Sequence, residues 1–227
     1  MTALNFILQP DFVMIFMDTL ALGIDKTPFK YASKIFPLPH LRGVLCGTGS
    51  LNTIMDWHVC IQERVIGNTM DTPNNIAPTE LKNIHSKYDL NGTNEATIYH
   101  FGFDPREEEG RIKGFAFRST DNFSLEELKD GTSIKPADNE IITYLRDILG
   151  TYNGVLDDID IFIEIMKFQK NKDDNRDPNE RIGIGGAIHM FRLDKNRQFL
   201  WECYNFDDYD ETFSKMLQRE GVKTIKP

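Results

Sequence analysis

Thr2, Asp18 and Lys34 stand sixteen residues apart in sequence, one after another, near the start of this 227-residue chain. Met1 precedes a small residue, so a methionine aminopeptidase would be expected to remove it and leave Thr2 with a free α-amino group. A hydroxyl beside an amine is a nucleophile with its own base built in. A buried lysine and aspartate nearby would complete a hydrolytic site around that nucleophile.

No other group of residues competes with it. His40, His58, His85, His100 and His189 lack metal-ligand spacing. His58 falls in a predicted helix and His100 and His189 in predicted strands, where packing is the expected role. Cys46, Cys60 and Cys203 are too few and too scattered for a disulfide framework, and none forms a CxxC pair. Cys46 reads as a small buried hydrophobe. Gly183, Gly185 and Gly186 read as close packing inside a strand, since no helix opens after them as a phosphate loop would need. Asp207, Asp208 and Asp210 read as an exposed acidic turn and not as a cation site. Neither metal nor cofactor is expected.

The whole chain sets further bounds. A net charge of −9 and a pI near 5.1 argue against a nucleic-acid partner, because neutralising phosphates needs a basic face. The acidity reads as a contribution to solubility. The N-terminal residues are apolar, but there is no basic segment of the kind that opens a signal peptide, and Pro10, Asp11 and Asp18 interrupt the run. No stretch approaches a membrane span. A reduced, cytoplasmic setting fits best.

The candidate residues need a scaffold. Residues 3–9 and 12–17 read as two strands joined at Pro10-Asp11, the second a continuous apolar run. A polar, irregular stretch follows to Lys30. Residues 33–38 and 42–46 read as strands around a turn at Pro39-His40. Gly47, Thr48, Gly49 and Ser50 end the second of these, and apolar residues then recur at helical spacing to about Val65, with Ser50 or Asn52 as the cap. Residues 67–78, rich in Asn, Thr and Pro, read as a loop, and 79–88 as a helix capped by Thr79. Strands are predicted at 96–103 and 111–119, and helices at 138–149 (one face carrying Ile141, Ile142, Leu145 and Leu149) and 159–170. A charged loop covers 171–181, and a last hairpin 182–192 and 198–205. Hairpins interrupted by paired helices point to antiparallel sheets covered by helix layers rather than a doubly wound parallel sheet. No repeat or linker divides residues 1–227, which read as a single domain.

With these residues in place, the chain resembles proteasome β subunits and their bacterial relatives of the HslV and Anbu type, members of the N-terminal-nucleophile (Ntn) hydrolases. The resemblance rests on Thr2, on Phe12-Val13-Met14-Ile15-Phe16-Met17-Asp18, on Ser33-Lys34-Ile35, on Gly47-Thr48-Gly49, and later on Gly185-Gly186-Ala187. It implies an α+β fold, a four-layer αββα sandwich of two antiparallel sheets between helix layers. It also implies peptide-bond hydrolysis by a threonine-type endopeptidase, through a Thr2 acyl-enzyme with Asp18 and Lys34 in support. Backbone N–H groups of Gly47, Thr48 and Gly49 would face the oxyanion, an ungapped count placing Thr48 where the family has glycine. Peptide or unfolded-protein substrates and assembly into a homo-oligomeric ring or a related form belong to the same expectation, and the sequence does not reveal any ATPase partner. The chain departs from the family at its outer network: Ser133 is the loose equivalent of one serine, and Arg181 and Ile184 stand where the family has Asp and Ser. A non-catalytic scaffold or binding subunit, and a small-amide hydrolase on the same fold, are the alternatives.

Overall fold

The computed structural model describes residues 2–23, 25–104, 106, 110–151 and 159–219. Met1 and its removal lie outside these residues, as do the side chain of Leu149 and most of the acidic turn after residue 104.

Two five-stranded antiparallel sheets lie face to face. One has the order β10-β1-β2-β11-β12, from Gly131–Lys135 (β10), Leu4–Leu8 (β1), Phe12–Asp18 (β2), Ala187–Asp194 (β11) and Gln198–Asn205 (β12). The other runs β5-β6-β7-β8-β9, from Ile35–Leu38 (β5), Gly43–Gly49 (β6), Ala96–Asp104 (β7), Arg111–Arg118 (β8) and Glu126–Glu127 (β9). Period-two alternation builds the interior between them. Leu4, Phe6 and Leu8 of β1 and Val13, Ile15 and Met17 of β2 meet Val44 and Cys46 of β6 and Tyr99 and Phe101 of β7.

The opposite faces of both sheets carry the helices. Helices α1 (Leu51–Arg64) and α2 (Asp71–His85) set Ile54, Trp57, Ile61, Leu81 and Ile84 on Leu45, Ile98 and Phe117. Helices α3 (Asn139–Thr151) and α4 (Ile159–Asp174) cover Ile7, Met14 and Phe16, with Phe162 stacked on Phe16 at 4.5 Å. The order helix, sheet, sheet, helix is the four-layer sandwich expected from the sequence. Because β1 and β2 are covered on both faces, they read as apolar runs, broken in β1 by Asn5 alone and ended in β2 by Asp18. Among the described residues no helix is long and apolar enough to cross a membrane.

Several elements differ from the sequence reading. The stretch read as irregular to Lys30 contains a hairpin, β3 (Leu20–Leu22) and β4 (Pro28–Tyr31), which forms a third, two-stranded sheet. Helix α2 begins at Asp71, inside the expected loop. Pro73 is tolerated because the first helical turn has no N–H bonds to lose, and buried Ala77, Leu81 and Ile84 outweigh the polar composition. Strand β10 was not expected. It pairs with β1 along its whole length, and residues 131–135 carry little apolar signal because neither of their faces is fully buried. Helix α4 continues to Asp174, shortening the charged loop. Strand β11 starts at Ala187, so Gly183, Gly185 and Gly186 precede it and do not lie inside it. The close packing expected there is present, since a Cβ on Gly186 would meet Thr19 Oγ1 at 2.4 Å. The acidic segment near Asp208 leads into helix α5 (Tyr209–Arg219), which packs on β4 through Tyr31 stacked on Tyr209 at 4.5 Å.

Candidate active site

The pairing of β1 with β2 places Asp18 beside the residue that follows Thr2. Leu4 pairs with Met17, and one step further the Ala3 N–H donates to Asp18 Oδ1 at 2.9 Å. The other carboxylate oxygen, Oδ2, accepts from Lys34 Nζ at 3.1 Å and, at a longer 3.4 Å, from the Gly185 N–H. Lys34 Nζ also donates to the Leu20 carbonyl at 2.7 Å. Thus one carboxylate ties together the N-terminal strand, the lysine that precedes β5 and the glycine segment that precedes β11. Thr19, next to Asp18, completes the clamp: the Ala187 N–H donates to its Oγ1 at 2.7 Å, and its own N–H donates to Ala187 O at 3.0 Å.

This ion pair is out of water. Asp18 is 0% exposed and Lys34 3%. Burial pushes the Asp18 carboxyl above its ordinary range, opposed by the charge and hydrogen bond of Lys34 and by the N–H groups of Ala3 and Gly185. Burial pulls the Lys34 amine below its ordinary range, opposed by Asp18. In this setting each charge depends on the other. Its bonds to Asp18 and to the Leu20 carbonyl hold Lys34 Nζ at a fixed point, and a buried titratable pair of this kind is a mark of functional sites.

Thr2 and Lys34 line one cleft of about 890 Å³. Its walls are β3, the β3–β4 turn, Gly49, Ser50 and the first turn of α1, and Arg181 and Ile182. The first turn of α1 is held by Ser50, whose Oγ accepts from the Thr53 N–H at 3.3 Å, so Ser50 and not Asn52 is the cap. Strand β5 pairs with β6 only as far as Ile35–Cys46, whereas β7 follows β6 to Gly49. At the end of that ladder the Ser50 N–H donates to Glu95 O at 3.0 Å. By alternation, the Thr48 N–H also points at β7, and those of Gly47 and Gly49 point to the other side. Of the three expected oxyanion residues, Gly49 lines the cleft with Thr2, and its φ of +90° is a conformation that suits glycine.

The remaining expected residues are dispersed. Ser133 lies within β10 opposite Phe6, four residues along β1 from Thr2 and so about 13 Å away along the strand, too far to support it. It sits in a strand and not in the strand-to-helix turn that the resemblance suggested. Ile184 is buried in the core beneath α4, and Arg181 stands on the cleft wall. Asp173, near the C-terminal end of α4, anchors their segment. It is 2% exposed, and its carboxylate accepts from the N–H groups of Ile182 at 2.7 Å, Gly183 at 2.7 Å and Ile184 at 3.2 Å. Sequence reasoning missed it because it hid in a run of charged residues. A second latch was missed as well. Asn5, the one polar side chain in the middle of β1, exchanges hydrogen bonds with Gln169 of α4 at 2.8 and 3.2 Å and accepts from the Lys135 N–H at 3.2 Å. A lone Asn in an apolar strand was its only sequence signal, since a buried amide must find partners.

No protein-family model matches the sequence, and no curated protein matches it. Among solved structures, the chain is similar to a Gly-1 mutant of Anbu from Hyphomicrobium sp. strain MC1, with a TM-score of 0.59 and 14% sequence identity. The match covers 100% of this chain and 99% of that one. The similarity is one of fold, and it is the fold that the resemblance to the HslV and Anbu type implied.

Proposed function

We propose that this proteasome-like chain is an N-terminal-threonine hydrolase that cleaves peptide bonds through a Thr2 acyl-enzyme and works in a homo-oligomeric assembly. The observation that carries the reading is the buried Asp18–Lys34 pair, bonded to the backbone next to Thr2 at the floor of an open cleft. With Met1 removed, the Thr2 amine takes the proton of Oγ1 as that oxygen bonds to the substrate carbonyl carbon. The C–N bond then breaks and the leaving amine departs with that proton, leaving an ester on Thr2. Water, deprotonated by the same amine, attacks the ester, which releases the carboxylic product and restores Thr2. Lys34 keeps the Thr2 amine unprotonated at neutral pH by its charge. Asp18 holds Lys34 and fixes the strand through the Ala3 N–H. The Gly49 N–H, with that of Gly47, is assigned to the developing oxyanion in place of Thr48.

Intact mass of the protein purified from cells identifies its first residue, and Thr2 is the expected result. A Thr-directed β-lactone should then add one equivalent at Thr2, and Thr2→Ala should lower peptide hydrolysis by ~10³-fold or more. A processed, assembled protein that is neither labelled nor active would point instead to the non-catalytic subunit, the reading that the departures at Arg181 and Ile184 favour. Turnover of small amides but not peptides would point to the small-amide hydrolase. Sedimentation of the native protein checks the assembly, and a monomer would contradict it.

A further inference from the structure

We infer that the cleft is built for acidic peptide segments, with Lys30 and Arg181 as specificity-determining residues. The inference deepens the hydrolase reading and rests on it for turnover, while recognition itself can be measured without turnover. The protein is acidic overall, at −9, yet the cleft wall around Thr2 carries Lys26, Lys30, Arg181 and Arg219 in addition to Lys34, against a single acid among the described residues, Asp25. Asp25 is committed to Arg219 at 2.6 Å, and Lys34 to Asp18. The other three cations have no carboxylate partner among the described residues. Lys26 donates to the Asn179 carbonyl, and Arg181 donates to those of Arg176 and Asp174. Those bonds orient the side chains without neutralising them. Lys30 and Arg181 are both exposed and reach the cleft from different segments, β4 and the loop after α4.

Positive charge concentrated in a concave site on a negative molecule focuses the field there and draws in anionic segments. The facing wall supplies apolar contact through Ile54 and Met55 of α1. A matching substrate would present an apolar side chain to α1 and Asp or Glu side chains to the β3–β4 turn and Arg181. A basic segment meets like charge in the same place.

The test uses three fluorescein-labelled peptides with a common apolar centre and flanks of Glu, Gln or Lys, bound to assembled Thr2→Ala protein and followed by anisotropy. The Glu peptide should bind ~10-fold or more tighter than the Lys peptide, with the difference shrinking as salt is raised. Lys30→Glu and Arg181→Glu should each weaken Glu-peptide binding by ~3- to 5-fold, and the double variant should reverse the preference. Equal affinity for all three peptides, or no binding of any, would overturn the inference. If native protein still cleaved the Glu, Gln and Lys peptides equally, the hydrolase reading would stand and the charge selection would fall. If the Thr2→Ala protein preferred the Glu peptide but native protein cleaved none, the charge selection would stand and the hydrolase reading would fall.

Discussion

Two buried polar clusters have opposite characters. Asp18 and Lys34 form a charged pair that opens on the cleft. His100 forms a neutral chain closed under α1 and α2: the Trp57 Nε1–H donates to its Nε2 at 2.8 Å, and its Nδ1 lies 2.7 Å from Asn74 Oδ1. Trp can only donate, so Nε2 is the bare nitrogen and Nδ1–H donates to Asn74. Both ring nitrogens of His100 are bonded without a charge, and burial holds the ring neutral, its pKa pulled down to about 3. A charge-free network of this kind secures helix to sheet. A charged pair kept dry is a weak source of stability, because desolvation offsets much of the attraction. Under the proposed function, its bond to the Ala3 N–H next to Thr2 accounts for why it is there.

That contrast can be broken in three ways. The largest effect is expected in acid, on the neutral cluster. The His100 pKa of about 3 lies below the 6.5 of the free side chain, so the unfolded chain takes up the proton first. The stability from this group is fully present above pH 6.5 and is lost as pH falls from 6.5 towards about 3, a change on the order of 5 kcal/mol. Urea unfolding across that range should show the loss, and His100→Gln should flatten it while leaving neutral-pH hydrolysis near native. An unaltered acid slope would contradict the neutral-network account.

The next effect falls on the charged pair. Lys34→Met should lower hydrolysis by ~10³-fold or more and, by leaving Asp18 alone in the interior, should destabilise the fold by about 3 kcal/mol. Asp18→Asn with Lys34→Met should recover most of the stability and none of the activity. A double variant that regained both would make the pair a packing feature.

The smallest effect sharpens the comparison at the cleft wall. Asp173→Ala would orphan the amides of residues 182–184 and should cost about 2 kcal/mol. Because the same segment carries Gly185 to Asp18, hydrolysis should fall by ~10-fold with little change in the pH profile. Loss of stability with no kinetic change would confine Asp173 to the scaffold.

The N-terminal part of the candidate site was legible because it is local. Thr2, the β1–β2 hairpin and the Asp18 that ends it occur within one short stretch, and Lys34 opens the next expected strand. Strong apolar runs and the Ser50 cap made those elements readable. Helix α2 was half misread because Pro73, Asn74 and Asn75 carry loop propensity, and only the packing of His100 against Asn74 explains a buried Asn in a helix. Ser133 was misplaced because β10 is recognisable only through its pairing with β1.

The sequence by itself determined the alternation of hairpins and paired helices, the apolar runs that require two covered sheets, and the candidate trio at equal spacing. The tertiary structure alone decided that Asp18 joins Ala3, Lys34 and Gly185, that Asp173 and the Asn5–Gln169 latch hold the surrounding segments, and that cations from β4, the loop after α4 and α5 meet around Thr2. Periodicity reports which face of an element is buried, since that depends on neighbours a few residues away. It is silent on partners more than a hundred residues distant, such as Asp18 with Gly185 or Asn5 with Gln169, because those contacts are chosen by how the layers stack.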